Sequence, residues 1–223
     1  MPTTPSSSRT PSSSRTPSSS RTAPQRRLTA KGEATRARIV EAASDLVFAH
    51  GVTRTGTEDV QREAGVSASQ LYHYFADKHA LMRAVIAHQT AQVLAAQQPE
   101  LDALDSFEAL GRWRDRLVTL QRARHCVGGC PIGSIAAEVA DHDPDARADL
   151  VEGFEQWEAP LRDGLGRMRA GGLLREDADP DRLALALLAA LQGGLVLTQT
   201  RRTTIPLETA LDATIELIRS YAV

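Results

Sequence analysis

Apolar positions recur at helical spacing along nearly the whole chain after residue 28. Ile39, Ala42, Ala43, Leu46 and Val47 fall at i, i+3, i+4, i+7 and i+8, one stripe that ends at Gly51. Asp77 is placed to cap a long helix marked by Leu81, Val85, Ala91 or Gln92, and Leu94, running to Gln98 before Pro99. Further helices are expected over residues 101–122 (Phe107, Leu110, Trp113, Leu117, Leu120), 132–140, 144–169 (Leu150, Phe154, Trp157, Leu161, Leu165, Met168), 181–200 and 206–221. No segment alternates convincingly at period two, so the pattern predicts an all-α fold.

Between residues 55 and 81 the pattern shortens to two brief helices joined by Gly65-Val66-Ser67. Gly65 suits the left-handed conformation that ends a helix, and Val66 can tuck between the two. Ser67 can cap the next helix, with Gln70 completing a capping box. This is a helix-turn-helix, whose second helix starts with bare N–H groups and small side chains suited to a phosphate backbone. Leu71 and Phe75, four apart, face the core and leave Ser69, Gln70, Tyr72 and His73 on the exposed side. The Gln70 amide suits bidentate pairing with adenine, while Tyr72 and His73 offer donors to phosphates. A plain packing role stays open for Tyr72 and more so for Tyr74.

Composition sets the frame. With 223 residues, 42% hydrophobic and 24% charged, the chain can bury one or two cores. Nothing approaches eighteen consecutive apolar residues and no signal-peptide stretch opens the chain, so a cytoplasmic protein without membrane partners is expected. The net charge of −2 hides a gradient: residues 1–27 hold five Arg and no acid, residues 28–98 balance seven against seven, and residues 99–223 hold fourteen basic against twenty-one acidic. Attraction to a polyanion is therefore confined to the N-terminal part. The first residues repeat Thr-Pro-Ser-Ser-Ser-Arg three times, at 4–9, 10–15 and 16–21, with no apolar side chain to offset ordering entropy. This tail is expected to be disordered, either without function or as a basic arm on DNA.

Enzyme signatures are missing: no Gly-rich phosphate loop, no Gly-x-Ser-x-Gly elbow and no metal-spaced His/Glu pair, so neither catalytic residues nor cofactors nor a metal are expected. Cys126 and Cys130 do not form a disulfide framework; three residues separate them, next to His125, which leaves a loop turn, thiol oxidation or, least well matched, metal binding. Trp113 with Leu117, and Phe154 with Trp157 and Leu161, lie at helical spacing and could enclose an apolar cavity with Gln121 or Gln192, or fill a solid core. The helix from residue 181 carries Ala186, Ala190 and Gly194 in one i, i+4 row beside Gly193, with Leu197 following. Two adjacent glycines cost about 1 kcal/mol each relative to Ala and call for close helix packing, either with a second copy or within one subunit.

The whole constellation, from Thr35-Arg36-Ala37-Arg38-Ile39-Val40-Glu41-Ala42-Ala43 through Gly51 and Ala64-Gly65-Val66-Ser67 to Leu71-Tyr72-His73-Tyr74-Phe75 and Asp77-Lys78, resembles the DNA-binding domain of the TetR/AcrR family of bacterial transcriptional regulators. It departs at Ala68, where a Lys is frequent, and at Gln61, where a small apolar residue is usual. The segment Gly129-Cys130-Pro131-Ile132-Gly133-Ser134 is similar to one in a branch whose members repress multidrug-efflux and similar genes and respond to aromatic molecules. The resemblance implies a helix-turn-helix domain at 28–76 after a tail at 1–27, and an effector-binding and dimerisation domain at 77–223. It implies a repressor that binds double-stranded operator DNA as a homodimer through Arg36, Thr55, Gly56, Ser67, Ser69, Gln70, Tyr72, His73 and Lys78. A small hydrophobic or aromatic effector would meet Trp113, Leu117, Cys130, Phe154, Trp157, Leu161 and Gln192. The dimer would form at Ala186, Ala190, Gly193, Gly194 and Leu197. The alternative is a regulator that senses thiol oxidation at Cys126 and Cys130.

Overall fold

Residues 28–223 are described by a computed structural model, and among them nine α-helices and one isolated β-bridge form the regular structure. The repeat at residues 1–27, and with it any contact between that arm and DNA, lies outside the described residues. α1 (Ala30–His50) starts at Thr29, whose hydroxyl accepts the Gly32 N–H at 3.2 Å, and stops where Gly51 takes φ 85°, a value that L side chains rarely adopt. Its expected stripe is buried, Leu46 only partly, with Val40 and Ser44 added. α1 packs on α2 (Thr57–Ala64) and on α4 (Lys78–Ala95), and α2 packs on α3 (Ala68–Tyr74).

α4 is shared: it packs on α1 and also on α7 (Pro144–Ala170). Two contact surfaces explain a correction to its stripe, because Met82, Ile86, Gln89 and Thr90 are buried beside Leu81 and Val85, whereas Ala91 and Gln92 are exposed. The α4–α7 approach is close. A Cβ on Gly153 would come within 2.7 Å of Thr90 Oγ1, and the pair is flanked by Arg83 on Asp149 (2.6 and 3.0 Å) and His79 on Asp143 (2.8 Å).

α4 ends three residues earlier than expected, and α5 (Phe107–Ala123) begins six residues later, behind the cap Ser106, whose Oγ accepts the Ala109 N–H at 3.2 Å. Leu101 and Leu104 fit the apolar period yet lie in the connection, each 1% exposed. The connection rests on α7 at Gly164, where a Cβ would sit 2.5 Å from the Leu104 carbonyl oxygen, and Arg167 donates to the Leu104 oxygen at 3.0 Å. α6 (Pro131–Val139), α7 and α8 (Pro180–Arg201) each open on proline at the first helical position, behind the capping residues Cys130, Asp143 and Asp179.

α8 packs on α7 and on α9 (Ile205–Arg219), while α5 packs on α9 from the other side. By length and composition α8 is apolar enough to cross a membrane; here Leu183, Leu187, Leu191 and Leu195 are buried within the chain. Gly194 corrects the expected dimer row: a Cβ there would meet Leu207 Cα at 3.0 Å, so this glycine admits the chain's own α9. Ala186 and Ala190 are half-buried beside it. The chain ends against residue 174, with the Arg175 N–H on the Tyr221 carbonyl at 2.8 Å.

Candidate nucleic-acid interface and ligand cavity

The turn between α2 and α3 takes the expected form. Gly65 is left-handed (φ 61°), Val66 is buried, the Ser67 hydroxyl accepts the Gln70 N–H at 3.2 Å, and Gln70 Oε1 accepts the Ser67 N–H at 2.9 Å. Leu71 and Phe75 are buried, while Ser67, Ser69, Gln70, Tyr72 and His73 form one exposed face, Tyr72 being 51% exposed. The same bond limits Gln70. Its oxygen is occupied by the cap, which leaves the amide N–H groups free for an acceptor, so bidentate pairing with adenine requires the cap to open or the oxygen to use its second lone pair.

Thr55 and Arg36 are placed differently from expectation, while Gly56 stands at a helix start as expected. Thr55 is 4% exposed and donates to the Gly51 carbonyl at 2.8 Å, so its side chain positions the start of α2 instead of facing solvent. Gly56 caps α2 through its backbone, its N–H held by Asp59 at 3.2 Å. Arg36 stacks over Phe75, 5.0 Å from the ring centre, by the buried side of α3. Lys78 is exposed, and its ammonium donates to the Val52 carbonyl at 3.2 Å.

The α1–α2 loop is also held from the other half of the chain. Glu138, on α6, accepts the Val52 N–H and the Thr53 N–H, each at 3.1 Å, and the Thr53 hydroxyl at 3.2 Å. A Cβ at Gly51 would lie 2.6 Å from Glu138 Oε1, so a glycine is needed here for both its φ and its lack of a side chain. A second link is the α5–α6 connection. His125, Cys126, Gly128 and Gly129 all have positive φ (51°, 56°, 88° and 58°), and a Cβ at Gly128 would come within 2.0 Å of the Phe48 ring on α1. Positive φ at two residues other than glycine stores strain, roughly 1–3 kcal/mol each, of the kind found at switch regions. Sequence reading had no signal for Glu138, because only the fold brings residues 138 and 53 together.

The aromatic pair is not arranged across an open space. Trp113 and Trp157 both donate their indole N–H to Gln97 Oε1, at 3.0 Å each, and Gln97 Nε2 donates to the Val93 carbonyl at 2.8 Å. Trp113 and Leu161, both 0% exposed, are solid core and line neither of the cavities described below, which corrects their assignment to an effector site. Trp157, Leu117 and Cys130 do line one, a cavity of about 40 Å³ together with Gln121, Arg124 and Leu195. Phe154 and Gln192 belong instead to an open groove of about 640 Å³ beside Gly193, Val196 and Leu197, which Cys130 also reaches. The buried Cys130 caps α6, its sulfur accepting the Gly133 N–H at 3.3 Å; burial pushes its thiol above the ordinary range. On α8, Leu185, Ala189, Gly193, Val196 and Leu197 are exposed, as are Ile205 and Leu217 on α9.

Residues 39–85 match the model of the bacterial regulatory proteins of the tetR family, and residues 107–214 match the tetracyclin repressor-like C-terminal domain. The chain is similar to the transcriptional repressor NemR of Escherichia coli, 28% identical over 85% of this chain and 96% of that one, and to the regulator TtgR of Pseudomonas putida, 27% identical over 75% and 81%. The crystal structure of the reduced form of E. coli NemR superposes with a TM-score of 0.69 at 27% identity, covering 85% of this chain and all of the other. Two family models that between them span the reading helices and the helical body, on a fold shared with solved regulators, place the chain in the TetR family of transcriptional regulators, DNA-binding proteins and not enzymes.

Proposed function

We propose that the chain is a repressor that reads its operator through the exposed face of α3, works as a homodimer, and is released when a small molecule enters the cavity between α4, α5, α7 and α8. The observation that carries this reading is the α5–α6 connection. One face of it, Gly129 and Cys130, walls the cavity, and the other, Gly128, lies against Phe48 of α1. A ligand that displaces this wall acts on the helix that supports the reader, while α6 transmits to the α1–α2 loop through Glu138. Release then follows as a shift between two head spacings, driven by the ligand's different affinity for each.

The groups offered to DNA are Tyr72, His73, Ser69, the free N–H of Gln70 and Lys78, with Ser67 and Gly56 contributing their helix starts. The partner copy would cover Leu185, Gly193, Val196 and Leu197 on α8 with Ile205 and Leu217 on α9, an apolar face next to the row first expected from the sequence. The apolar walls of the cavity suit a hydrophobic effector, and its volume of about 40 Å³, far below the several hundred Å³ of a typical drug-sized site, suits a small one. Thiol sensing is less well supported, since a thiol raised by burial carries little of the reactive thiolate at neutral pH.

An anisotropy titration of operator DNA tests the reading. Tyr72→Ala should weaken binding by about 1–3 kcal/mol with the melting temperature kept, because it removes an exposed positioning contact. Unchanged affinity would remove α3 from the interface.

A further inference from the structure

The polar groups of the cavity are unequal. The Gln97 oxygen is fully used, by two indoles, and one N–H of its amide by a carbonyl. That of Gln121 is not: the residue is 6% exposed, and its Oε1 has no hydrogen-bond partner among the described residues. A buried amide oxygen left in this way is uncommon and marks a place where a donor belongs. At the mouth stands Arg124, which takes part in none of the ion pairs among the described residues. Its guanidinium lies 5.9 Å from the centre of the Phe48 ring. Glu41 and Asp45 on α1 line the adjoining cleft with Arg124 and Phe48, yet neither is paired with it. The α6 N-terminus, at Cys130 and Pro131, opens on the same cavity and adds positive potential there.

We infer that this cavity takes a compact organic acid. Its carboxylate binds at Arg124 and the start of α6, a hydroxyl or amide N–H on its chain donates to Gln121 Oε1, and a short apolar body lies against Leu117, Leu120 and Leu195. Size favours a small occupant: the cavity measures about 40 Å³ and is open at its mouth, so a short chain can sit with its carboxylate at Arg124, whereas a fused aromatic ring system is far larger. Binding would draw Arg124 away from Phe48 and load the connection that begins at the next residue, where four positive φ angles cluster. The inference rests on the reading of this cavity as the effector site and adds the chemistry of its occupant.

Trp157 lines the cavity and reports on it. Emission of the full-length protein and release of bound operator are followed together with saturated monocarboxylates of about three to five carbons, with and without a 3-hydroxyl, with 1,3-butanediol as the neutral counterpart and 1-naphthol as the aromatic one. The acids are expected to change the emission and release DNA at matching concentrations, the hydroxylated ones more tightly, with the diol inactive. Arg124→Gln, checked by melting to be folded, should weaken acid binding about tenfold or more. Gln121→Leu should abolish the preference for the hydroxyl while plain acids still bind. Equal binding of diol and acid, or undiminished acid binding by Arg124→Gln, overturns the inference. Naphthol active with the acids inert overturns it too but leaves the effector reading standing; if neither class changes emission or releases DNA, both fall.

Discussion

At the scale of single residues, the interactions that repeat within a few positions were legible and those that close over long separations were not. Ser67 and Gln70 are three apart, so their capping box could be written down from the sequence, and both bonds form. Gln97 lies 16 residues from Trp113 and 60 from Trp157, and nothing local announces that one amide oxygen serves both indoles. The aromatic pair was therefore legible as apolar and helical but not as a hydrogen-bonded core. Replacing the buried Gln97 by Leu would strand two indole N–H groups in the interior, and the expected loss is about 2–6 kcal/mol in denaturant unfolding, since each unsatisfied donor costs about 1–3 kcal/mol. A loss below about 0.5 kcal/mol would mean that the indoles find other partners or water.

At the scale of elements, periodicity gave the helices but not always their ends or neighbours. Leu101 and Leu104 continue the apolar spacing of α5 backwards, yet the Ser106 cap fixes the start of the helix, and the two leucines are buried in a connection seated on Gly164. Likewise a row of small residues identifies a face of close approach without saying whose helix approaches. With Gly194 against Leu207 of the same chain, Gly194→Leu is expected to destabilise the subunit itself, by about 1–3 kcal/mol through overpacking. Val196→Asp, on the exposed side, should instead leave the fold intact and shift sedimentation to monomer at moderate concentration; a dimer that survives it places the interface elsewhere. For α6, Glu138→Gln keeps the shape but leaves one acceptor oxygen in place of two, so it cannot hold both the Val52 and the Thr53 N–H groups of the α1–α2 loop. Operator affinity without effector should then change, with the thermal transition nearly unmoved. An identical operator titration would show that this loop contact carries no coupling.

At the scale of the whole molecule, the reading head and the body are joined through shared groups, and one of them titrates. Asp143 caps α7 and takes His79 of α4; the Ala146 N–H above all, then His79, hold its carboxyl below the usual carboxylate range. A pKa lower in the folded than in the unfolded chain contributes stability that is present above the unfolded value and lost as pH falls through the folded one. Melting temperature should therefore fall on the acid side of about pH 4, and less steeply in Asp143→Asn, which can still cap the helix; parallel slopes would assign the acid loss to other carboxylates. Sequence-specific DNA reading by two copies is the function proposed for these contacts. The direct measurement is selection of bound fragments from genomic DNA by the full-length protein, repeated with Tyr72→Ala. A shared inverted repeat with a fixed half-site spacing, enriched by the wild type and lost with the variant, is expected from two α3 helices related by a two-fold axis. Fragments without a common motif, or an enrichment that Tyr72→Ala leaves unchanged, would contradict it.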